Sequence, residues 1–390
     1  MQELVSLLLP IAAASGWYAA KRHYTRKYLL DHDRSLGRTH YRGLNYLLDD
    51  PRDKAIGVFA RWLPEQDYET LETHIALGNL FRRQGQLEKA IEIHESLVNE
   101  PGLSEPQRNR VRYELGMDYM RAGLFDRAEA IFLDLSHKDT HRKPALEQLL
   151  HIYQQEKEWA KAAACTRQLL SFANTPRGEN VAQFLCEMAE EALQLGRQQQ
   201  ALEHVAEALR EDPGCVRATL IKARLALANG AYDEALHTLR RVETQNPAYL
   251  SEIVQPIVVC YEHLADGQSL GDYLEYLYRT YGLLEAAVKF AERLRNTSGA
   301  TAAAGYLMRV LEAKPSLQTL SRVIDLLTLP EGTDRIPELK GVGIGRIGLA
   351  ARRLLADTPR YRCAVCDFSG VVLHWRCPAC QFWGTIAPAF

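Results

Sequence analysis

Neither sign of charge predominates: 47 Lys and Arg against 49 Asp and Glu leave −2 at pH 7. That excludes a global basic field of the kind that holds nucleic acid. Catalytic signatures are scarce as well. None of the 12 His stands in an H-E-x-x-H pattern, and the one pair spaced four apart, His137 and His141, has no Glu between its members. Trp (5) and Phe (10) are few beside Tyr (18), a balance that suits packed helices with wet edges. Two short patterns imitate catalytic motifs. Gly267-Gln-Ser269-Leu-Gly271 reads as G-x-S-x-G, but a nucleophile elbow needs a preceding strand, and here a helical segment ends at Tyr261-Glu-His-Leu264. The repeat register described below makes this stretch an inter-helix turn. Gly343-Ile-Gly345-Arg-Ile-Gly348 reads as G-x-G-x-x-G without an apolar strand before it or a βαβ context after it, and is expected to be a flexible linker. The chain is expected not to be an enzyme.

Long apolar runs are confined to one. Between Glu3 and Lys21 there is no charge, and 17 residues of helix reach about 26 Å, close to the ~30 Å of a hydrocarbon core. A secretory signal would carry positive charge before the run, whereas here only Glu3 precedes it. Trp17 and Tyr18 sit where an interfacial belt would lie, and the cluster from Lys21 to Lys27 follows directly. Residues 1–20 are therefore expected to be a transmembrane anchor and 21–35 a basic juxtamembrane segment, with everything after it on the cytoplasmic side.

Self-similarity organises the middle of the chain. Ala55, Ala90, Ala128, Ala162, Ala201, Ala235 and Ala303 open similar phrases, and the last step, 68, is twice the step from 201 to 235. A tetratricopeptide repeat has a period of about 34 residues. The skipped unit is expected to place its small residue at Ser269. Twelve residues before the small position stands Gly43, Gly78, Gly116, Ala189 or Ala223; nine before it, Tyr46, Phe81, Tyr119 or Tyr153; five before it, Gly85, Gly123, Gly196 or Gly230. Small residues let two helices approach, the aromatic fills the gap, and Gly supplies a positive φ at the turn. The expected fold is mainly α: a tetratricopeptide-repeat superhelix of about eight units over 36–330, then a linker over 331–358. Such an array offers a concave face for protein ligands rather than a reaction pocket. Candidate partner-binding residues on the first helices are Glu72, Ile75, Asn79, Arg82, Arg110, Tyr113 and Met117.

The eight cysteines fall into two groups. Cys165, Cys186, Cys215 and Cys260 lie far apart on helical stretches and are expected to be single buried thiols. Cys363, Cys366, Cys377 and Cys380 form two C-x-x-C knuckles in residues 359–390, the pattern of a closed tetrathiolate metal site. The chemistry of four sulfurs admits zinc or iron. The ten residues between the knuckles leave a minimal domain, which the metal is expected to hold folded.

Anchor, repeats and terminal thiolate site in this order resemble the lipopolysaccharide assembly protein B family of Gram-negative bacteria. The resemblance is carried by Leu7-Leu-Leu-Pro-Ile-Ala-Ala-Ala-Ser-Gly-Trp-Tyr18, Gly78-Asn-Leu-Phe-Arg82, Asp118-Tyr-Met-Arg-Ala-Gly-Leu-Phe-Asp-Arg-Ala-Glu129 and Tyr361-Arg-Cys363 with the C-P-x-C knuckle. It implies a single-pass inner-membrane protein with cytoplasmic repeats and a rubredoxin-like C-terminal domain whose four cysteines bind one metal ion, iron by that likeness. It also implies an adaptor that helps a membrane-bound AAA+ metalloprotease degrade the committed-step lipid A deacetylase. Alternatives are a scaffold that gathers other inner-membrane lipopolysaccharide assembly proteins, and a redox protein using the thiolate metal. Homo-oligomerisation is compatible with each. In this chain Asp367 and Gln381 stand where many rubredoxin-type knuckles have Gly.

Overall fold

The computed structural model describes residues 68–172, 179–327, 344–356 and 358–388. The expected anchor, the basic segment and the phrase at Ala55 lie outside the described residues. Among the described residues, no helix is long and apolar enough to cross a membrane. Within the described residues eight helix pairs follow one another: α1 Tyr68–Arg83 with α2 Leu87–Val98, α3 Glu105–Ala122 with α4 Phe125–Leu135, α5 Arg142–Gln155 with α6 Trp159–Leu170, α7 Glu179–Gln194 with α8 Gln198–Glu211, α9 Val216–Ala228 with α10 Tyr232–Gln245, α11 Leu250–His263 with α12 Gly267–Tyr281, α13 Leu284–Ser298 with α14 Ala300–Ala313, and α15 Leu317–Leu327 with α16 Ile344–Ala356. A three-stranded antiparallel sheet closes the chain, with β1 Tyr361–Cys363 between β2 Ser369–Gly370 and β3 Ile386–Pro388.

The repeat phrase acquires a structural meaning. The amide of each small residue makes the first i→i−4 bond of its second helix: Ala90 to Gln86, Ala128 to Leu124, Ala162 to Glu158, Ala201 to Arg197, Ala235 to Ala231 and Ala303 to Gly299. All six of these alanines are fully buried. In the skipped unit the equivalent donor is Leu270, bonded to Asp266, and not Ser269. That unit is one residue longer before its second helix, so exact period counting missed it by one. Gly267 to Gly271 accordingly form the first turn of α12, capped by the Asp266 carboxylate on the Ser269 amide (3.1 Å), rather than the inter-helix turn. Five residues before the small position the backbone is left-handed in every described unit except that of Ala303, where Ser298 stands. Gly85, Gly123, Gly196 and Gly230 supply this, and Lys157 (φ 59°) and Ala265 (φ 54°) adopt it without being Gly.

Two compact units divide at Ile131 and Phe132, within α4. In the first, α1 and α2 touch closely enough that a Cβ on Gly78 would lie 2.5 Å from the His94 ring. His94 is fully buried and its Nδ1 meets the Asp118 carboxylate, which also accepts from Arg82 (2.9 Å). In the second unit, one large apolar core runs from Val216 to Ala286. Cys186 and Cys215, expected to be isolated, stand 3.9 Å apart, because α7 packs against the N-terminus of α9. Their hydrogen bond and then burial push the Cys186 thiol up.

The stretch expected as a linker holds a helix instead. α16 presents Gly348 and Ala351 to α15, where a Cβ on Gly348 would come 2.8 Å from Ile324 Cγ2. The glycines read as flexibility thus include one that permits close helix packing. The terminal sheet belongs to the same compact unit as the repeats from Phe132 onward.

Candidate metal centre

Each cysteine pair is set in a tight knuckle built by backbone bonds. In the first, the Cys363 amide donates to the Phe368 carbonyl (2.8 Å) and the Asp367 amide to the Cys363 carbonyl (3.1 Å). In the second, the Cys377 amide donates to the Phe382 carbonyl (2.9 Å) and the Gln381 amide to the Cys377 carbonyl (2.9 Å). The residue after each second cysteine is left-handed, at φ 59° for Asp367 and 63° for Gln381. Glycine is the easy occupant of that conformation. Local bonds support the departures: Arg362 pairs with Asp367 (3.0 Å), and the Gln381 side-chain amide donates to the Pro378 carbonyl (2.7 Å). The knuckle geometry therefore survives without glycine.

The four sulfurs all lie within 4.8 Å of one another, with Cys363 to Cys380 at 3.7 Å and Cys366 to Cys377 at 3.6 Å. A tetrahedral ion with metal–sulfur bonds of about 2.3 Å needs sulfur–sulfur edges of about 3.8 Å, so the donor set fits one such ion. Cys363 and Cys377 are buried, Cys380 half-buried and Cys366 exposed. Burial acts against ionisation of Cys363, yet the Thr385 hydroxyl at 3.3 Å and the Cys366 and Val365 amides bring it down to about 6. The Phe368 amide lowers Cys366, but burial and the three crowding sulfurs outweigh it and push that thiol up to about 12. Four thiolates at this spacing repel one another, and a bound cation removes the penalty. Such a closed tetrathiolate ion, once bound, supplies folding energy to a domain whose own buried apolar core is little more than Cys363, Cys377 and Ile386.

The rest of the domain's apolar surface is spent on the repeats. The Trp383 indole donates to Gln154 Oε1 (3.3 Å) and meets the rings of Trp159 and Phe184 edge-on, at centroid distances of 6.0 and 5.6 Å. Trp375 stacks on Tyr249 (5.5 Å) and lies under the Arg217 guanidinium (5.9 Å). Arg217 is itself buried and clamped by Glu187 (2.9 Å) and Glu190 (2.7 Å). The Tyr249 hydroxyl donates to the Ile386 carbonyl and the Tyr361 hydroxyl to Glu252, each at 2.8 Å. Gln154, Phe184, Arg217 and Glu252 lie on α5, α7, α9 and α11, the first helices of four consecutive pairs. The metal domain thus sits on the face that such arrays use for ligands. These anchors escaped sequence reasoning, although a signal existed: two of the five Trp, together with Tyr361, crowd into a domain too small to bury them.

The candidate partner residues separate into two kinds. Ile75 is 3% exposed and belongs to the core with Leu71, Leu97 and Val111, so it is not a surface contact. Glu72 and Arg110 are exposed and paired at 2.5 Å. Arg82 bonds Asn79 (2.7 Å), Glu114 (2.6 Å) and Asp118. First helices of neighbouring repeats lie side by side, so charges one period apart find each other. Tyr113 and Met117 are half-buried.

Known proteins share both parts of this architecture. The family described as "Rubredoxin metal binding domain" matches residues 361–388, and tetratricopeptide repeat families match 73–103 and 186–249. "Lipopolysaccharide assembly protein B" of Escherichia coli (strain K12) is 33% identical over 388 residues, covering 100% of this chain and 98% of the relative. The protein of the same name from Haemophilus influenzae is 33% identical over 398 residues, with the same coverage. Among solved structures, a tetratricopeptide repeat protein from Parabacteroides merdae aligns with 67% of this chain and 100% of its own at 18% identity and a TM-score of 0.30; MamA aligns with 47% and 96% at 19% identity and 0.28.

Proposed function

The chain belongs to the lipopolysaccharide assembly protein B family, and on that footing we propose that it is a non-enzymatic, membrane-anchored adaptor in lipopolysaccharide biosynthesis. In this reading the repeats hold a membrane-bound AAA+ protease and its client, the committed-step lipid A deacetylase, on the cytoplasmic side of the inner membrane. The observation that supports it best is the metal domain seated on the first-helix face by Trp375, Trp383 and Tyr361. That seating makes repeats and metal domain one composite surface, suited to presenting a protein rather than converting a small molecule. The ion is a structural part of that surface, and either zinc or iron satisfies the sulfur geometry.

The test is crosslinking in native membranes followed by identification of captured proteins, with the deacetylase half-life measured in parallel. The adaptor reading expects both protease and deacetylase among the captured proteins, and a longer deacetylase half-life when Cys377→Ser removes a ligand. Capture of neither would overturn it. Capture of other assembly enzymes with an unchanged half-life would favour the scaffold instead, a role that the relatives' name supports.

A further inference from the structure

A helical repeat array ordinarily ends in a unit whose outer face is polar, because nothing further stacks on it. The last pair here does the opposite. On α16, Ile347, Leu349 and Leu354 are 52%, 50% and 63% exposed. Its packed edge, Gly348 and Ala351, is already used against α15, so these aliphatic side chains are not held back for the core. The charge of the helix is of one sign: Ile344–Ala356 contains Arg346, Arg352 and Arg353 and no Asp or Glu. Arg352 is tied to Asp325 of α15 (3.0 Å), while Arg353 is exposed between the positions of Leu349 and Leu354 on the helix circumference. At 3.6 residues per turn, Ile347 and Leu354, seven apart, share one edge of the outward face, and Arg353 lies towards the other edge beside Leu349, four residues before it.

We propose that the outer face of α16 rests on an anionic membrane surface, with Ile347, Leu349 and Leu354 entering the headgroup boundary and Arg353 meeting lipid phosphates. An interfacial helix has this composition, with aliphatic side chains flanked by cations and no acid to be repelled. Charge decides among the occupants. A second copy would set the same cationic face against itself, whereas an anionic leaflet complements it, at about 1 kcal/mol for each Arg near the surface. The inference goes beyond the adaptor reading and needs no particular protein partner. It gives the repeat array a second point of attachment, near its C-terminal end.

The test uses the full chain reconstituted into lipid nanodiscs, either phosphatidylcholine alone or equal parts phosphatidylcholine and phosphatidylglycerol. Hydrogen exchange of the peptide 344–356 is followed in both. Exchange is expected to slow about fivefold in the anionic discs, the factor that one cation at the surface is worth, and the slowing should fade in high salt. The variant Leu349→Ser/Arg353→Glu/Leu354→Ser alters exposed positions only. It is expected to keep its metal content and the exchange of α9 and α11, and to lose the slowing. Equal exchange in the two discs would overturn the proposal. So would slowing that survives in the variant, or slowing that appears only when an acidic protein is added.

Discussion

A left-handed residue without glycine stores a conformational cost at a known place, and four of the described residues do so. Lys157 and Ala265 occupy the inter-helix turn, and Asp367 and Gln381 close the two knuckles. The turn positions test the idea most cleanly, since neither forms part of the metal site. Lys157→Gly and Ala265→Gly are each expected to raise stability by about 0.5–1 kcal/mol, read as a higher urea midpoint with an unchanged slope. Gly230→Ala should move the midpoint the other way by a similar amount. Gly78 answers to a different constraint: Gly78→Ala drives a methyl into the His94 ring and is expected to cost about 1–3 kcal/mol. The contrast also marks what was legible. Gly78 and the turn glycines were visible in the sequence because the repeat states its rule many times. Lys157 and Ala265 obey the same rule with residues that do not announce it, and the one-residue offset at Leu270 hid the register of their neighbour.

At the scale of elements, helix pairs were legible because period and burial coincide, whereas docking was not. Trp375 and Trp383 reach Tyr249 and Trp159 from more than 120 residues away in the chain, and no local pattern encodes such a meeting. α16 was missed for a related reason: its glycines suggested a loop, but one of them serves close packing against Ile324. The docking makes a quantitative claim. Trp383→Ala removes an indole wedged against Trp159 and Phe184 and should cost about 3 kcal/mol of docking, seen as faster proteolysis between α16 and β1 with metal still bound. It also makes a pH claim. Burial first, then Glu252, pushes Tyr361 up to about 12, and burial likewise pushes Tyr249 up to about 12. Both hydroxyls act as donors across the contact, so the docked form needs them protonated. With folded values raised above the free value of 10.0, their contribution is whole below pH 10 and is lost as pH climbs towards 12. Alkaline titration followed by tryptophan fluorescence should therefore report release in that window, and Tyr361→Phe should lower its midpoint by weakening the contact beforehand.

For the whole molecule the metal is the joint between folding and function. The terminal domain buries almost nothing of its own beyond two ligands and Ile386, so without its ion it has no reason to hold the shape that fits α5 to α11. Acid favours the thiols over the thiolates, so the ion should leave as pH falls. A chelator at neutral pH should reproduce the effect without the acid. The consequence reaches the repeats, because a Cβ on Gly384 would lie 3.9 Å from the Gln183 side-chain nitrogen, which in turn lies 3.8 Å from the Cys215 sulfur. Lifting the domain uncovers Gln183 and, behind it, the Cys215 thiol beside Cys186. Cys165 and Cys260 are buried within the repeats, Cys165 with its thiol donating to the Leu146 carbonyl. Thiol labelling mapped by mass spectrometry should then find all four repeat cysteines protected in the metal-bound protein. After chelation, Cys215 should join Cys363, Cys366, Cys377 and Cys380 among the labelled sites, while Cys165 and Cys260 stay protected. Labelling of all four repeat cysteines at one rate would mean that the array unfolds with the domain. Protection of Cys215 after the ion has gone would mean that the domain stays docked without its metal, and the ion would then lose its place as the element that joins fold to binding surface.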